Sequence, residues 1–444
     1  MLKNFNMNLI KENDSLIVAV SGGIDSMVLL DYLNKIKKSL NLTLTVCHVD
    51  HKKRVDSADD LKLVVKTCDS LDIKCYTKEL KNEDYDNFHD YAHVERYDFF
   101  VEIAEKVKAN KIVLAHNKND HAETILMRLT RGSSFEGYRG ILQKSYYKDF
   151  QIIRPLITVS RSEIREYQKE NNIVFNEDSS NKENNYTRNR FRHNLLPLLE
   201  NENPKYLDKI TQFSNYQVKA YALIEKLSNE FLNHNLIKKE NNYHLNITSL
   251  KSLDEIVLID VIKRAINLKT NNTLELTYQN IDDVMGLINN DKPQIQIDLD
   301  KNLSVYKSYD DLIFGALSTE KNQYKFIVSD PQEIKLPDNG LVIITKKPNN
   351  YLGIIYKLCY NNLDLIFPLT IRNRQNGDKI NTKIGTKKVK DILINKKVPM
   401  ETRNKIPLVL NKHNEIIWIP SVYKKKTNGS EIIYIIYQEG NKNA

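Results

Sequence analysis

Hydrophobic and polar positions follow two alternating patterns through the first two hundred residues. Short apolar runs, typical of buried strands, are separated by longer stretches in which apolar residues recur every three or four positions, as on one face of a helix. Strands that alternate with helices in this way predict an α/β fold with a parallel, doubly wound sheet. The predicted strands lie at residues 16–20, 42–49, 73–76 and 111–116, and the predicted helices cover residues 27–33, 56–70, 91–104 and 120–131.

The pattern changes beyond residue 200. Helical periodicity dominates from residue 204 to about residue 288, and short alternating segments that indicate strands follow it. Beyond about residue 363 the pattern predicts a small α+β region. We therefore predict three domains: a doubly wound α/β domain over residues 1–200, a mainly helical domain over residues 201–350, and a small α+β domain over residues 351–444.

Composition narrows the class of protein without identifying a function. Hydrophobic residues make up 41% of the chain and charged residues 28%, which is typical of a globular protein in water. No apolar stretch is long enough to span a membrane, and the N-terminal sequence lacks the apolar core of a signal peptide. The four cysteines form no closely spaced pair, as expected in a reducing compartment. We therefore predict a cytoplasmic protein with no membrane partner, whose net charge of +9 permits a nucleic-acid surface.

A glycine-rich loop joins the first predicted strand to the first predicted helix. Gly22 and Gly23 allow a sharp turn and a close approach of the backbone to a ligand. The N–H groups of the helix that follows favour an anion, and Asp25 offers a carboxylate for a phosphate-bound magnesium ion. The loop lacks the lysine of a P-loop, and its sequence instead resembles the pyrophosphate loop (PP-loop) of N-type ATP pyrophosphatases. That resemblance implies ATP binding by Ser21, Gly22, Gly23, Ile24, Asp25 and Ser26.

Two histidines and two carboxylates are expected near this loop. His48 and His116 each lie at the end of a predicted strand, and ligands of doubly wound sheets bind beyond the carboxyl ends of the strands. We therefore predict that both histidines contact ATP. Asp120 and Glu123 lie one turn apart at the start of a predicted helix. Carboxylates at that position either cap the helix or hold an amine or a metal ion.

Arginines follow the two carboxylates. Arg128 and Arg131 lie on the same predicted helix as Glu123, where they suit the charge of a phosphate. A second group of three arginines occurs within five residues, at positions 188, 190 and 192. Such a run is either a solvated helix face or a contact surface for RNA phosphates.

Several motifs, in chain order, resemble those of tRNA(Ile)-lysidine synthases. The resemblance is dense over the first two hundred residues and returns in the tail, whereas the middle of the chain is similar only in length and helical character. The motifs are residues 21–26, residues 48–51 with Arg54, Arg96-Tyr97, residues 122–124 and 126–128, Arg131-Gly132, residues 154–156, Arg161 with Glu163-Ile164, residues 177–181 and 186–189, and in the tail Gly377-Asp378, residues 387–391 and 397–399, Arg403 and residues 407–409.

The resemblance implies a reaction and its participants. Enzymes of that family join L-lysine to the wobble cytidine of an isoleucine tRNA with the anticodon CAU, and the product base, lysidine, changes the codon read from AUG to AUA. ATP first adenylates the cytosine with release of pyrophosphate, and the lysine ε-amine then displaces AMP. ATP and Mg²⁺ are the implied cofactors, and no pattern points to a protein partner. The implied residues are Asp25, Asp120 and Glu123 for catalysis, Asp25 also for magnesium, and Arg96, Arg128, Arg131, Arg188, Arg192, Lys387, Lys388, Lys390 and Arg403 for substrate or tRNA.

Departures from the family pattern keep other interpretations open. Asn119 occupies a position where the family usually has aspartate, His121 one where glutamine is common, and His93 one where arginine is favoured. If the carboxylate missing at position 119 were indispensable, the enzyme would be impaired. One alternative is a tRNA thiolase, which would need paired or clustered cysteines. A glutamine-dependent amidotransferase would need a further domain, and the third alternative is a non-catalytic protein that binds ATP and RNA.

Overall fold

The computed structural model of the chain describes residues 2–50, 57–80, 88–177, 187–239, 241–300, 303–315, 323–347, 352–361, 366–382 and 385–440. The chain forms two compact units, residues 1–223 and residues 224–444. Of the predicted motif residues, 51, 54, 178–181 and 186 lie outside the described residues.

The first unit is built on a twisted sheet with the strand order β3-β2-β1-β4-β6-β5. Neighbouring strands from β3 to β6 pair in parallel, and β5 pairs with β6 in the antiparallel direction at the edge. The prediction of a parallel, doubly wound sheet is therefore confirmed. The strands are β1 (Ser15–Ala19), β2 (Thr43–Asp50), β3 (Lys74–Glu79), β4 (Lys111–Val113), β5 (Lys144–Tyr147) and β6 (Phe150–Ile153).

Helices cover both faces of this sheet. Alternate apolar residues of its central strand point to opposite sides, so both faces of the sheet are buried under helices. Leu16 and Val18 of β1 are fully buried against one group of helices, and Ile17 is fully buried in a separate cluster with α3. The helices are α1 (Ile24–Lys37), α2 (Ser57–Ser70), α3 (Phe88–Val107), α4 (Lys118–Arg131), α5 (Arg161–Glu170), α6 (Thr187–Arg190) and α7 (Leu196–Glu202), with short 3-10 turns at Met7–Leu9 and Gly137–Arg139 and a π-helical turn at Phe191–Leu195.

A long helix, α8 (Tyr206–Asn235), belongs partly to each unit. The second unit begins with a five-stranded sheet of order β7-β8-β11-β10-β9, against which α10 and α11 pack. Two of its strands, β7 and β8, interrupt the region in which the pattern predicts only helices, because runs of three and five residues carry too little periodicity to register. The elements are β7 (Ile237–Lys239), β8 (Asn242–Asn246), α9 (Ile247–Lys251), α10 (Glu255–Thr270), α11 (Tyr278–Asn289), β9 (Gln294–Asp300), β10 (Leu303–Ser308) and β11 (Asp311–Gly315).

The C-terminal part of the second unit is mostly antiparallel sheet. Strands in the orders β12-β16-β19-β20-β21 and β13-β14-β22-β15 share one apolar core, and β17 and β18 form a separate hairpin. The predicted division into three domains stays a prediction. The elements are β12 (Lys325–Val328), β13 (Glu333–Lys335), β14 (Leu341–Thr345), β15 (Ile354–Tyr360), β16 (Leu369–Arg372), β17 (Lys379–Thr382), β18 (Gly385–Lys388), α12 (Val389–Asn395), α13 (Met400–Arg403), β19 (Leu408–Leu410), β20 (Ile416–Ile419), β21 (Tyr423–Lys424) and β22 (Glu431–Gln438).

Among the described residues, none of the helices combines the length and the apolar character that a membrane crossing requires.

Candidate active site

The strand order of the first sheet creates a crevice at its carboxyl edge. From β1 the chain moves outward to β2 and β3 on one side, whereas β4 and β6 lie on the other side of β1. Ligands of open α/β sheets bind where the strand order reverses in this way, outside the carboxyl ends of the strands. The crevice between β1 and β4 is therefore the expected ligand site, and the segments that follow these two strands should form it.

The segment after β1 is the glycine-rich loop, which is closed by its own serines. The Ser26 hydroxyl accepts a hydrogen bond from the Ser21 N–H at 3.1 Å and donates one to the Gly23 carbonyl at 2.9 Å. Gly22 has a φ of +92°, and a Cβ at this position would lie 3.2 Å from the Cβ of Asp60. Gly23 caps α1 without a side-chain hydrogen bond, so the first N–H groups of α1, at Ile24 and Asp25, remain open to a ligand. The loop has the features of an anion-binding cradle.

Asp25 connects this loop to the segment that follows β4. The Nδ2 of Asn117 donates a hydrogen bond to the Oδ1 of Asp25 at 3.1 Å, which spans the crevice. Burial, together with the nearby Asp120 carboxylate, raises the pKa of Asp25 to about 6. Asp25 is therefore mostly ionised at pH 7, but it can change its protonation state close to neutral pH.

Asp120 has the capping role that its position at the start of a helix suggests. Its Oδ2 accepts a hydrogen bond from the Asn117 N–H at 3.1 Å, and the Asn117 side chain accepts one from the Asp120 N–H at 3.0 Å. This reciprocal pair is a capping box, and it fixes the first turn of α4. The other oxygen of Asp120, Oδ1, lies 3.4 Å from the Nη2 of Arg161.

Glu123 is fully buried and surrounded by arginines. Its Oε2 accepts a hydrogen bond from the Nε of Arg188 at 2.8 Å, and its Oε1 accepts one from the Nε of Arg192 at 2.8 Å. The Nη1 of Arg161 lies 3.6 Å from Oε1. A buried carboxylate is stable only when it is paired and hydrogen-bonded, and these three guanidinium groups meet that need. We call Glu123 with Arg161, Arg188 and Arg192 the arginine cluster.

Three separate elements supply the arginines of this cluster. Arg161 is the first residue of α5, whose start is fixed by a capping box between Ser160 and Glu163. Arg188 lies in α6, and Arg192 lies in the π-helical turn that follows it. Such turns occur frequently at functional sites. Sequence analysis found Arg161 only as part of a motif and gave it no role, although the Ser-x-x-Glu sequence around it signals a helix start beside the site.

The two histidines lie on either side of the crevice. His48, at the end of β2, is buried and its Nδ1 lies 2.8 Å from the Val20 carbonyl oxygen. Because that carbonyl can only accept, Nδ1 carries the proton, and the buried Nε2 finds no partner among the described residues. His116 follows β4; burial, with the charges of Arg154 and other nearby cations, lowers its pKa to about 3. Both rings can therefore offer a nitrogen to a ligand.

Other predicted site residues have structural contacts of their own. The Nη1 of Arg128 donates to the carbonyl oxygens of Gly137, at 2.5 Å, and Gly140, at 3.1 Å, and so holds the 3-10 turn after α4. Arg131 is exposed at the end of α4. Arg96 is half-buried on α3 and lies over the ring of Tyr97, with its Cζ 5.4 Å from the ring centroid.

The two unusual residues on α4 also have defined partners. The Oδ1 of Asn119 accepts a hydrogen bond from the Arg161 N–H at 2.9 Å, so this side chain supports α5. His121 is buried, and burial lowers its pKa to about 4. Its neutral ring accepts a hydrogen bond at Nδ1 from the Ile141 N–H at 3.0 Å. His93 stacks on Tyr97 with a centroid distance of 4.4 Å.

The basic residues predicted in the tail fall into two groups. Lys387, Lys388 and Lys390 are exposed on the β17–β18 hairpin and at the start of α12. Arg403 is instead only 8% exposed, and it donates to the Val398 carbonyl at 2.8 Å and to the Tyr309 hydroxyl at 2.9 Å. Its guanidinium group is therefore largely occupied within the second unit.

The donors around the loop suit a magnesium ion that is held mainly by a ligand's phosphates. The described residues contain no group of three His, Cys, Asp or Glu side chains arranged to hold a metal. Mg²⁺ usually binds to proteins through one or two carboxylates, with water and substrate phosphates completing its shell. Asp25, half-buried beside the cradle, fits that requirement as the one protein carboxylate.

Two of the four cysteines, Cys47 and Cys68, lack the features of a catalytic thiol, whereas a hydrogen bond with Cys68 lowers the pKa of the half-buried Cys75. Cys47 and Cys68 are buried, and burial raises the pKa of the Cys47 thiol. A thiol in that state is a poor nucleophile, because the thiolate is the reactive form. These positions give no support to a thiolase that works through reactive cysteines.

Comparisons with known proteins agree on one family. Residues 1–199 match the model of a PP-loop domain, and residues 369–433 match the model described as the TilS substrate C-terminal domain. The chain is 32% identical over 451 residues to a tRNA(Ile)-lysidine synthase of Clostridioides difficile (strain 630), covering 97% of each chain. It is also 32% identical over 447 residues to the enzyme of that name from Geobacillus kaustophilus (strain HTA426), covering 97% of this chain and 96% of the relative. A bifunctional protein TilS/HprT of Listeria monocytogenes (strain F2365) is 32% identical over 443 residues, or 97% of this chain and 68% of the relative.

Proposed function

Because this chain belongs to the tRNA(Ile)-lysidine synthase family, we propose that it uses ATP to join L-lysine to the wobble cytidine of an isoleucine tRNA with the anticodon CAU. The reaction proceeds through a cytidine adenylated at O2, releases pyrophosphate and then AMP, and changes the codon read from AUG to AUA. The observation that carries the proposal is the Asn117–Asp25 hydrogen bond of 3.1 Å, because it joins a phosphate cradle to the segment that bears Asp120 and Glu123.

The first step requires ATP to lie with its β- and γ-phosphates in the loop. The open N–H groups at the start of α1 and the hydroxyl of Ser21 are the donors that the chain offers to that pyrophosphate. Asp25 would hold Mg²⁺, which neutralises phosphate charge when bound. The bare Nε2 of His48 would accept a hydrogen bond from a hydroxyl or amino group of the nucleoside.

The second step requires a neutral amine. The lysine ε-amine has a pKa of about 10.4 in water, so it arrives protonated and must lose a proton before it attacks. Asp120 is the carboxylate that we assign to the ammonium group, since its Oδ1 has only longer contacts, of 3.4 Å or more, to the arginines. Asp25 lies beside Asp120 and would be able to take up a proton near neutral pH in this second step, after pyrophosphate has left with its magnesium ion.

Glu123 has a different part in this proposal. Both of its oxygens already accept hydrogen bonds from arginines, so it is poorly placed to receive the amine of lysine. It would instead hold Arg188 and Arg192 in place toward the negative charge of the adenylate. Glu123 is therefore assigned as a positioning residue, and Arg161, Arg188 and Arg192 as the groups it positions.

The tRNA body would bind through the exposed lysines of the second unit. Lys387, Lys388 and Lys390 lie close together in sequence, on and beside one hairpin, and exposed lysines contribute sequence-independent affinity for phosphates. Arg131 and Arg96 are the corresponding candidates in the first unit. Arg128 and Arg403 support such surfaces through their backbone contacts.

The proposal is tested with the purified full-length protein, ATP, Mg²⁺, labelled L-lysine and an unmodified isoleucine tRNA transcript. The readout is lysine that becomes acid-precipitable. We expect incorporation into this tRNA, none into the methionine tRNA that shares the CAU anticodon, and none with Asp25→Ala. Release of AMP and pyrophosphate without lysine incorporation would mean that the base is activated for another nucleophile. Binding of ATP and tRNA with no turnover would indicate a non-catalytic protein.

A further inference from the structure

Three buried nitrogen atoms that find no hydrogen-bond partner among the described residues lie together at the carboxyl edge of the first sheet. They are the Nε of Arg96, the Nδ1 of His116 and the Nε of Arg154. Val113 of β4 pairs with Ile153 of β6, and the Leu114 N–H donates to the Ile153 carbonyl at 3.0 Å, so the segments that carry His116 and Arg154 leave the sheet side by side. Buried polar groups in folded proteins nearly always have partners, and a group without one needs an explanation.

Arg154 is the most constrained member of this group. Arg154 is only 8% exposed. Its Nη1 donates to the Leu142 carbonyl and to the Ser145 hydroxyl, both at 2.9 Å, and the Tyr97 side chain also accepts a hydrogen bond from it. All of these partners are neutral, and the described part of the chain places no carboxylate within ion-pairing distance of this guanidinium group. A buried charge without a counter-charge is costly unless a ligand supplies one.

Arg96 likewise lacks a counter-charge among the described residues, and both Arg96 and Arg154 contact Tyr97. The Arg96 guanidinium group lies over the Tyr97 ring, and the described chain gives it no ion pair either. The neighbouring arginine cluster provides the contrast within the same unit, because Arg161, Arg188 and Arg192 all form ion pairs with Glu123 or Asp120. Within the described part of the chain, one group of arginines is therefore paired with carboxylates and the other group is not.

His116 completes the group without adding charge. Burial and the nearby Arg154, Arg188 and Arg96 lower its pKa to about 3, so the ring is neutral at pH 7. A neutral imidazole can donate one hydrogen bond and accept another. The three side chains thus offer two positive charges with unused N–H donors and one neutral ring nitrogen.

We propose that Arg96, His116 and Arg154 form a binding pocket for a single phosphodiester group of the RNA substrate, next to the nucleotide that reacts. The pocket follows β4 and β6, whereas the loop that suits the phosphates of ATP follows β1, which lies about 5 Å from β4 and about 10 Å from β6 along the sheet edge at the usual strand spacing. Planar guanidinium groups bind phosphate oxygens in a fixed geometry, which would hold the backbone of the target nucleotide while its base enters the crevice. This inference rests on the proposed function and identifies a subsite within it.

The test is an equilibrium binding experiment without ATP or lysine. Full-length wild-type protein, Arg96→Met, Arg154→Lys and Arg154→Met are titrated with the isoleucine tRNA and with two versions that carry an uncharged methylphosphonate, one on the 5′ side and one on the 3′ side of the target cytidine. Arg165→Met, which removes an exposed arginine from α5, is the charge-matched control. Thermal unfolding of every variant identifies any that fail to fold, and Arg96→Met tests the pocket without removing the backbone contacts of Arg154.

We expect one of the two methylphosphonates to weaken wild-type binding about tenfold, and Arg96→Met to weaken binding of the unmodified tRNA by a similar factor. Combining the variant with that methylphosphonate should cause little further loss, whereas with Arg165→Met the two effects should multiply.

Independent effects of variant and methylphosphonate for both modified RNAs would overturn the proposal. So would a loss of ATP affinity in Arg96→Met, measured in a separate ATP titration without RNA, together with unchanged RNA affinity, because the pocket would then belong to the nucleotide. Because this experiment measures no turnover, its result can be interpreted even if the protein does not catalyse the lysine reaction.

Discussion

Asp25 and Glu123 are both acidic residues at the carboxyl edge of one sheet, yet their surroundings give them opposite properties. Asp25 is half-buried, accepts a hydrogen bond from an uncharged amide, and faces the like charge of Asp120. Glu123 is fully buried and bonded to guanidinium groups. The first carboxylate can change its protonation near pH 6, and the second is locked into ion pairs.

The protonation of Asp25 should control activity at low pH. Its pKa of about 6 means that the carboxylate is present above that pH and is progressively lost below it. Since the ionised form is the one that holds a cation or accepts a proton, we expect kcat/KM for ATP to fall as the pH decreases through about 6. Rate measurements between pH 5 and pH 8 check this. An acid limb centred near pH 4, the ordinary range of an aspartate, would contradict it.

Replacing Glu123 should damage both stability and rate. Glu123→Gln removes the negative charge that Arg188 and Arg192 contact at 2.8 Å, and breaking a buried ion pair costs about 3 kcal/mol of the free energy of unfolding. Because the arginines would lose their orientation, we also expect kcat to fall with little change in the KM for lysine. Urea denaturation and steady-state kinetics measure the two effects, with the exposed Glu166→Gln of α5 as the control. A large rise in the KM for lysine alone would instead assign Glu123 to lysine binding.

Sequence analysis identified the residues around Glu123, but it did not predict which of them contact one another. The spacing of Asp120 and Glu123 predicts a shared helix face, and the structure has them on α4. No spacing rule could connect Glu123 to Arg161, Arg188 and Arg192, which follow 38, 65 and 69 positions later in the sequence and meet it only through the packing of α4, α5 and α6. The burial of Arg154 with no counter-charge among the described residues was not predicted for the same reason, since it is visible only in three dimensions.

At the scale of elements, the site depends on how α4 is anchored at both ends. Its start is fixed by the capping box of Asn117 and Asp120. After its end, the turn at Gly137–Arg139 folds back, where Arg128 binds two carbonyls and His121 accepts a hydrogen bond from Ile141. Hydrophobic periodicity predicts the order of strands and helices in this region. It does not predict that the chain folds back onto α4, because that arrangement depends on single polar contacts.

Gly140 should be essential to that return. Its φ is +71°, and an added Cβ would lie 2.7 Å from both the His121 and the Ile125 side chains. Gly132 also has a positive φ, +81°, but nothing lies within 4 Å of its Cβ position. Both substitutions to alanine carry backbone strain, so the difference between them measures the clash. We expect Gly140→Ala to be less stable than Gly132→Ala by about 1–3 kcal/mol in chemical denaturation, and equal stabilities would show that the turn is not packed on α4.

At the scale of the whole molecule, the first unit contains the match to the PP-loop domain and the second contains the match to the TilS substrate C-terminal domain. Periodicity predicts the first unit well, because each βαβ segment carries its own local pattern. It predicts the second unit poorly, since the strands there are short and pair across long stretches of sequence, as β14 does with β22. The resemblance implies a tRNA contact for Arg403 but says nothing of its burial, and the fold buries this residue.

The exposed lysines of the tail should contribute affinity but no specificity. Replacing Lys387, Lys388 and Lys390 together with alanine removes three charges, and each lysine that contacts a phosphate contributes about one unit to the slope of log Kd against log salt concentration. We expect weaker tRNA binding, a slope smaller by about three, and an equal effect on isoleucine and methionine tRNAs. Replacing Lys325, Lys357 and Lys424, exposed lysines on strands of the same unit, is the control. Identical losses in both triple variants would show that net charge, rather than the hairpin, determines binding.

We propose that ATP activates the cytidine at the crevice between β1 and β4 before lysine reacts. The most direct measurement incubates the protein with ATP labelled at the α-phosphate, Mg²⁺ and the isoleucine tRNA in the absence of lysine, and isolates the RNA after rapid quenching. Label on the tRNA, absent with Asp25→Ala and released as AMP when lysine is added, is the result that we predict. Label that never reaches the tRNA, with lysyl-adenylate formed when lysine is present, would contradict the account, because the amino acid and not the base would then be the activated partner.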